Sequence, residues 1–331
     1  MNRLLPALLL LLLLCPLALL TGTVALSPAE VWQGLTDGAA HSTAHFIVVE
    51  VRLPQVLTAL LAGAALAGSG LVMQTLFANP LADPSLLGVN SGASLGAALV
   101  LLAFGGSLGS FVAGWGGVVL TVAAAFAGAC GVIALLLLCS HFLRGNLALL
   151  VCGVMLSFLL SAVISLLSFY ATAEGVRSFL LWGMGDFSGV PLDRLPLFAL
   201  LTLPPLAALF LLARPLNALL LGTDYAANLG IGVKRVRTWL LLLAGLLTAA
   251  VTALCGPIAF IGLAVPHAAR LLLRTADHRR LLPATLLLGA DVALLALILT
   301  HLPGERGVLP LAALTPLIGV PVVLYILLRR G

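Results

Sequence analysis

The sequence predicts an all-α integral membrane protein of about ten transmembrane helices, and three observations carry that expectation. Hydrophobic residues make up 62% of the 331 and charged residues only 8%, whereas an average soluble domain is about one-quarter charged. The apolar residues fall into ten stretches joined by short polar links, and about 20 such residues make one crossing. The basic residues divide unequally between alternate links, 12 on the side of Arg3 against 4 on the other, and the richer side is the cytoplasmic one. An even number of crossings then puts both termini in the cytoplasm, and residues 1–331 form a single transmembrane domain.

Taken in order, the first stretch runs from Leu4 to Leu26. Its lone Arg3, leucine run and small Thr23 and Ala25 fit a signal peptide, but its length approaches a span and it is expected to stay as the first helix. A polar loop, Ser27 to Glu50, carries His41 and His45 without a third ligand, so these are expected to be solvated rather than bound to metal. The second helix, Leu53 to Phe77, must stop before Asn79-Pro80 and Asp83-Pro84, since proline pushes its predecessor out of the helical region. Asp83 suits an N-cap and Pro84 a first helical position, so a third helix is expected over Pro84 to Phe104. Gly88, Gly92 and Gly96 recur on it every fourth residue, as Ala59, Gly63 and Ala67 do on the second, which strips one face for close backbone approach.

A fourth helix is expected over Trp115 to Cys139 and a fifth over Leu147 to Phe169. The next segment, Tyr170 to Arg194, holds Glu174, Arg177, Asp186 and Asp193 and belongs in water. After a sixth helix, Leu195 to Ala213, residues Arg214 to Arg237 are too polar and glycine-broken to span, yet keep apolar residues at helical spacing. The seventh helix is expected over Trp239 to Cys255 and the eighth over Ile258 to Leu273, interrupted by Pro266 and His267. Leu281 to Leu302 and Leu309 to Leu328 complete the ten.

The chemistry the sequence offers is sparse. Five cysteines lie in apolar stretches without ligand spacing, so neither a disulfide nor a metal site is expected. Ser91, His267 and Asp291 lie in or beside spans, but there is no G-x-S-x-G and no HExxH, and no catalytic residue is assigned. The only lysine, Lys234, precedes Arg235 rather than Ser or Thr, so there is no P-loop and the chain is expected to bind neither ATP nor another cofactor. Dispersed basic residues give no nucleic-acid patch; membrane lipid is the surrounding partner. Asp291, near the middle of a span, leaves an ion-coupled secondary transporter as the alternative reading.

Three strings are more specific: RLP at Arg52 to Pro54, MQTLFANPLADPSLLGVNSGASLG at Met73 to Gly96, and GPIAFIGLAVPHAARLL at Gly256 to Leu272. They closely resemble the permease subunits of FecCD-type ABC importers, and the resemblance runs from Arg52 to the C-terminus. It implies a type II ABC importer permease fold in the cell inner membrane, as a homodimer or paired with a paralogous permease. Two cytoplasmic ABC ATPases would use the ATP, and a periplasmic substrate-binding protein would deliver a metal chelate, ferric siderophore first, haem or cobalamin next. The path would lie between the two permeases, lined by the fifth and tenth helices and parts of the third and eighth.

The resemblance also implies site residues. Residues 214–237 are the coupling region, with Thr223, Asp224, Ala226, Leu229, Gly230, Gly232 and Val233 on or beside the helix that docks the ATPase; Gly230 is expected to end that helix in the left-handed region. Arg144, Gly145, Asn146 and Leu147 form the cytoplasmic gate, and Arg52, Gln55 and Arg306 the contact for the binding protein. Asn79, Pro80, Asp83, Pro84, Pro266 and His267 belong to the shared motifs. The chain departs from the pattern at Gln55, where relatives often have arginine, at Val308, where they usually have glutamate, and at Leu297, where they usually have aspartate.

Overall fold

The computed structural model describes residues 3–36, 42–85, 87–102, 115–143, 146–304 and 307–330. The described residues form α1 (Leu5–Leu20), α2 (Pro28–Thr36), α3 (Thr43–His45), a π-helical turn (Phe46–Arg52) that runs on into α4 (Leu53–Leu76), and α5 (Val89–Leu101). There follow α6 (Trp115–Phe142), α7 (Asn146–Tyr170), α8 (Ala173–Gly183), a 3₁₀ turn (Phe187–Gly189), α9 (Leu195–Leu211), α10 (Ala213–Leu219) and α11 (Thr223–Asn228). The chain ends with α12 (Val233–Cys255), α13 (Ile261–Leu273), α14 (His278–Thr300) and α15 (Leu311–Arg330). The architecture is all-helical, as expected.

Each of the ten expected stretches contains an apolar helix. Among the described residues five helices are long and apolar enough to cross a membrane, six if α9 and α10, bent by 58°, count as one crossing, and α1, α5, α13 and α15 are shorter. A 13-residue helix such as α5 rises only about 20 Å, short of a hydrocarbon layer of about 30 Å. The irregular backbone before it is tolerated at such depth because it is covered by protein: Ala82 and Leu87 are buried.

Helix α4 is the axis of the molecule, packed against α14, α12, α13 and α9 and buried at nearly every residue from Ala62 to Leu76. Bare faces make this possible. A Cβ on Gly63 would strike the carbonyl of Gly289 on α14, and one on Gly70 the backbone of Gly262 on α13. The expected glycine ladder serves α5 in the same way, a Cβ on Gly92 meeting the carbonyl of Gly128 on α6 at 2.6 Å.

Several boundaries differ from expectation. Helix α5 starts at Val89, not Pro84, because the Asp83 carboxylate accepts from the Ser85 N–H at 2.8 Å and closes a turn, while Gly88 at φ +87° is left-handed and ends any helix before it. Helix α13 starts at Ile261 because Gly256 and Phe260 both have positive φ. Helix α12 starts six residues early, taking Lys234, Arg235 and Arg237 into its first turns. The first helix stops at Leu20, and the expected polar loop after it holds helices at Pro28–Thr36 and Thr43–His45 among its described residues. Ser27 and Glu30 form a capping box there, Ser27 N–H donating to Oε2 at 2.7 Å and Glu30 N–H to Oγ at 3.3 Å. His45 is part-buried, its Nδ1 2.9 Å from the Gly34 carbonyl; His41 lies outside the described residues. Nor does all of Tyr170 to Arg194 face water: Phe187 and Val190 are fully buried.

Candidate coupling site and its link to the core

Helix α11 sits where the coupling region was expected. Within it only Ala226 is buried; Thr223, Asp224 and Tyr225 are exposed. Gly222 at φ +108° opens it, and a Schellman motif closes it, Ile231 N–H donating to Ala226 O at 3.1 Å and Gly230 N–H to Ala227 O at 2.9 Å. Gly230 has φ +80°, the left-handed geometry expected of it. Gly232 precedes α12 with ordinary negative φ, and Val233 is its first residue. Leu220, Leu221, Tyr225 and Leu229 leave large apolar or aromatic surface exposed around this non-spanning helix.

The segment that carries α10 and α11 is fastened to the core through side chains. Asn217, on α10, places its Oδ1 2.8 Å from both the backbone nitrogen and Nδ1 of His278. Its Nδ2 donates to the Asp277 carboxylate at 2.6 Å. His278 is buried, and its Nε2 lies 2.8 Å from Thr75 Oγ1 near the end of α4. The Asn217 amide, then the Arg279 N–H, hold the Asp277 carboxyl below the ordinary carboxylate range. Nothing in the sequence singled out Asn217, His278 or Thr75; the one available signal was Asp277 followed by an apolar run, the mark of an N-cap.

A second polar knot joins two of the recognised motifs. His267, buried, sets its Nε2 2.8 Å from the carbonyl oxygen of Pro80. Gln74 Nε2 donates to the Leu263 carbonyl at 3.1 Å, and Arg270 Nη1 donates to Gln74 Oε1 at 2.6 Å. Pro266 is buried within α13. Asp83 is buried, and a Cβ on Gly262 would meet its Oδ2 at 2.8 Å. Asn79 turns the chain by accepting from the Leu81 N–H at 2.9 Å, and Pro84 accepts from Leu87 N–H. His267 is therefore an internal tie between α13 and the turn that follows α4.

The remaining expected sites fare unequally. Arg52 is buried, its guanidinium donating to the carbonyls of Leu19 at 2.7 Å, Leu20 at 3.1 Å and Val24. It closes the C-terminal end of α1, where a cation and its donors satisfy orphan carbonyls. Gln55 is half-buried on α4, and Arg306 lies outside the described residues. At the gate, Arg144 and Gly145 lie outside the described residues; α7 begins at Asn146, and Leu147 beside it is exposed. Asp291 is buried in α14, and neither carboxylate oxygen has a partner among the described residues.

Comparison with known proteins agrees with this geometry. Residues 9–329 match the FecCD transport family. The chain is 37% identical over 310 residues to the hemin transport system permease protein HmuU of Yersinia pestis, covering 93% of this chain and 90% of that protein. It is 38% identical over 324 residues to the vitamin B12 import system permease protein BtuC of Escherichia coli O157:H7, covering 97% and 95%. A solved structure of an inward-facing metal-chelate type ABC transporter superposes with a TM-score of 0.85 at 32% identity, covering 100% of this chain and 99% of that one. The fold is that of a type II ABC importer permease, a multi-pass protein of the cell inner membrane. With the motif strings packed against one another and the match running almost end to end, the chain belongs to the FecCD transport family.

Proposed function

We propose that this chain is the permease subunit of an ATP-binding-cassette importer that carries a metal chelate from periplasm to cytoplasm. The observation that carries the reading is α11. It is a short helix outside the spans, with Tyr225 and Leu229 exposed, tied through Asn217 to the first residue of α14 and so to α4. Such a helix can take a push from a cytoplasmic ATPase and deliver it to the helix on which the core is built. Thr223, Asp224, Leu229 and Gly230 form the docking surface, and Ala226, Gly232 and Val233 hold it in place. ATP is bound and hydrolysed by the partner, not by this chain.

A second permease, either another copy or a paralogue, completes the path. Support comes from α7: only 11% of its most apolar stretch is buried within the chain, and Val151, Met155, Phe158 and Leu159 are all exposed. The link between α6 and α7, Arg144 to Leu147, gates the path on the cytoplasmic side. A periplasmic binding protein docks on the opposite face, where Gln55 and Arg306 remain the candidates once Arg52 is committed to α1.

Haem and cobalamin come first as cargo and a ferric siderophore after them, a reading supported by relatives named for hemin and vitamin B12. Uptake into proteoliposomes holding the permease, its ATPase and internal ATP, with the binding protein outside, tests this. One of the three chelates should accumulate while the other two do not. Accumulation of none, in a preparation whose ATPase activity responds to the binding protein, would exclude the metal-chelate reading.

A further inference from the structure

We propose that the cytoplasmic ends of α1, α13 and α14 form a binding site for the headgroup of an anionic phospholipid. A cavity of about 810 Å³ opens there, lined by the side chains of Arg3, Arg274, Arg279 and Arg280 with Leu4 and Leu273. Arg3 donates to the Leu273 carbonyl at 2.7 Å, which holds the start of α1 against the end of α13. Arg274 ends α13 in the left-handed region at φ +53°, a conformation that non-glycine residues rarely adopt.

Charge is what makes the cavity unusual. Arg279 and Arg280 are the second and third residues of α14, where the helix dipole favours anions and opposes cations. Four arginines therefore line one cavity, two of them at the N-terminal end of a helix, and like charges so placed repel. The nearby acid, Asp277, accepts from the Asn217 amide and from the Arg279 N–H and offsets part of the charge of Arg279 and Arg280. A bound anion would relieve this repulsion, and basic pockets between helices on the cytoplasmic side take phospholipid headgroups in this way.

The surroundings select a lipid over a soluble anion. Immediately beyond Arg3 and Leu4, α1 presents Leu5, Leu8, Leu9, Leu12 and Leu13 to the outside, all exposed. Acyl chains can lie along that leucine face while the phosphate sits among the arginines. The inference stands on the membrane topology and goes beyond the importer reading, since it needs no cargo or ATPase.

Native mass spectrometry of the purified chain, with phosphatidylglycerol or phosphatidylethanolamine added, tests the site. The wild-type protein should retain phosphatidylglycerol in preference, and millimolar inorganic phosphate should not displace it. Removing arginines one at a time, as Arg3→Gln and Arg280→Gln, should weaken retention about fivefold each. The fourfold variant R3Q/R274Q/R279Q/R280Q should lose it, while the matching Arg→Lys variant keeps part. The single variants keep the test informative if the fourfold one fails to fold. Equal retention of both lipids, displacement by inorganic phosphate, or wild-type retention in the fourfold Gln variant would overturn the proposal. So would a variant that keeps the lipid but no longer assembles with the ATPase, since the surface would then be a protein interface.

Discussion

The side-chain oxygen of Asn217 stands 2.8 Å from both the backbone nitrogen and the Nδ1 of His278, joining the coupling segment to the first residue of α14. Because Oδ1 can only accept, the imidazole Nδ1 must carry a proton and donate. Asn217→Ala leaves that buried donor unmatched, at a cost of about 1–3 kcal/mol. The variant should still assemble with the ATPase but show a lower melting temperature and reduced ATP-driven uptake. Unchanged uptake per ATP hydrolysed would show that force does not pass through this contact.

The same cluster predicts a pH dependence. Asp277 has its carboxyl held below the ordinary range, first by the Asn217 amide and then by the Arg279 N–H. A depressed carboxylate adds stability above its unfolded pKa, and that addition disappears as pH falls through the folded value. The melting temperature of Asp277→Asn should therefore lie below wild type at pH 7, with the gap closing below about pH 4, where carboxylates ordinarily titrate. A gap constant from pH 7 to pH 3 would assign the loss to packing instead.

Gly230 separates backbone strain from steric contact. A Cβ there would meet nothing within 4 Å, yet φ is +80°, so the cost of substitution is conformational. Gly230→Val should destabilise the end of α11 by about 1–2 kcal/mol, and Gly230→Asn, which tolerates the left-handed region, by less. Transport by the valine variant should fall while its membrane level holds. Equal transport by both variants would mean that the Schellman closure does not set the docking surface.

The fate of these residues shows what the sequence could and could not reveal. The ten apolar stretches and the glycine faces were legible because spanning length and small-residue spacing are local properties. Gly230 was legible through the resemblance, which implied a short helix before it that a left-handed glycine would end. The start of α5 was misplaced because Asp83 and Pro84 satisfy helix-start chemistry, while the Ser85 N–H and the left-handed Gly88 divert them into a turn. Arg52 read as a surface charge since only the fold reveals that the end of α1 lies 33 residues away in sequence and 2.7 Å away in space. Asn217, Thr75 and His278 come from three separate parts of the chain, and no local pattern marks their meeting.

Asp291 distinguishes a structural carboxyl from a proton relay. It is buried in α14, with both oxygens lacking partners among the described residues, an arrangement that costs free energy unless the group is uncharged or matched. Asp291→Leu should raise the melting temperature, by the equivalent of about 1–3 kcal/mol, and leave ATP-driven uptake intact. Loss of uptake in a well-folded variant would instead give this carboxyl a transport role.

The energy source is the most direct test of the whole account. Proteoliposomes containing this permease, its partner subunits and a binding protein loaded with a metal chelate can be given internal ATP with all ion gradients collapsed by ionophores, or ion gradients without ATP. Uptake should require ATP and be indifferent to the ionophores. Accumulation driven by a proton or sodium gradient in the absence of ATP would contradict the assignment of this chain to an ATP-driven importer.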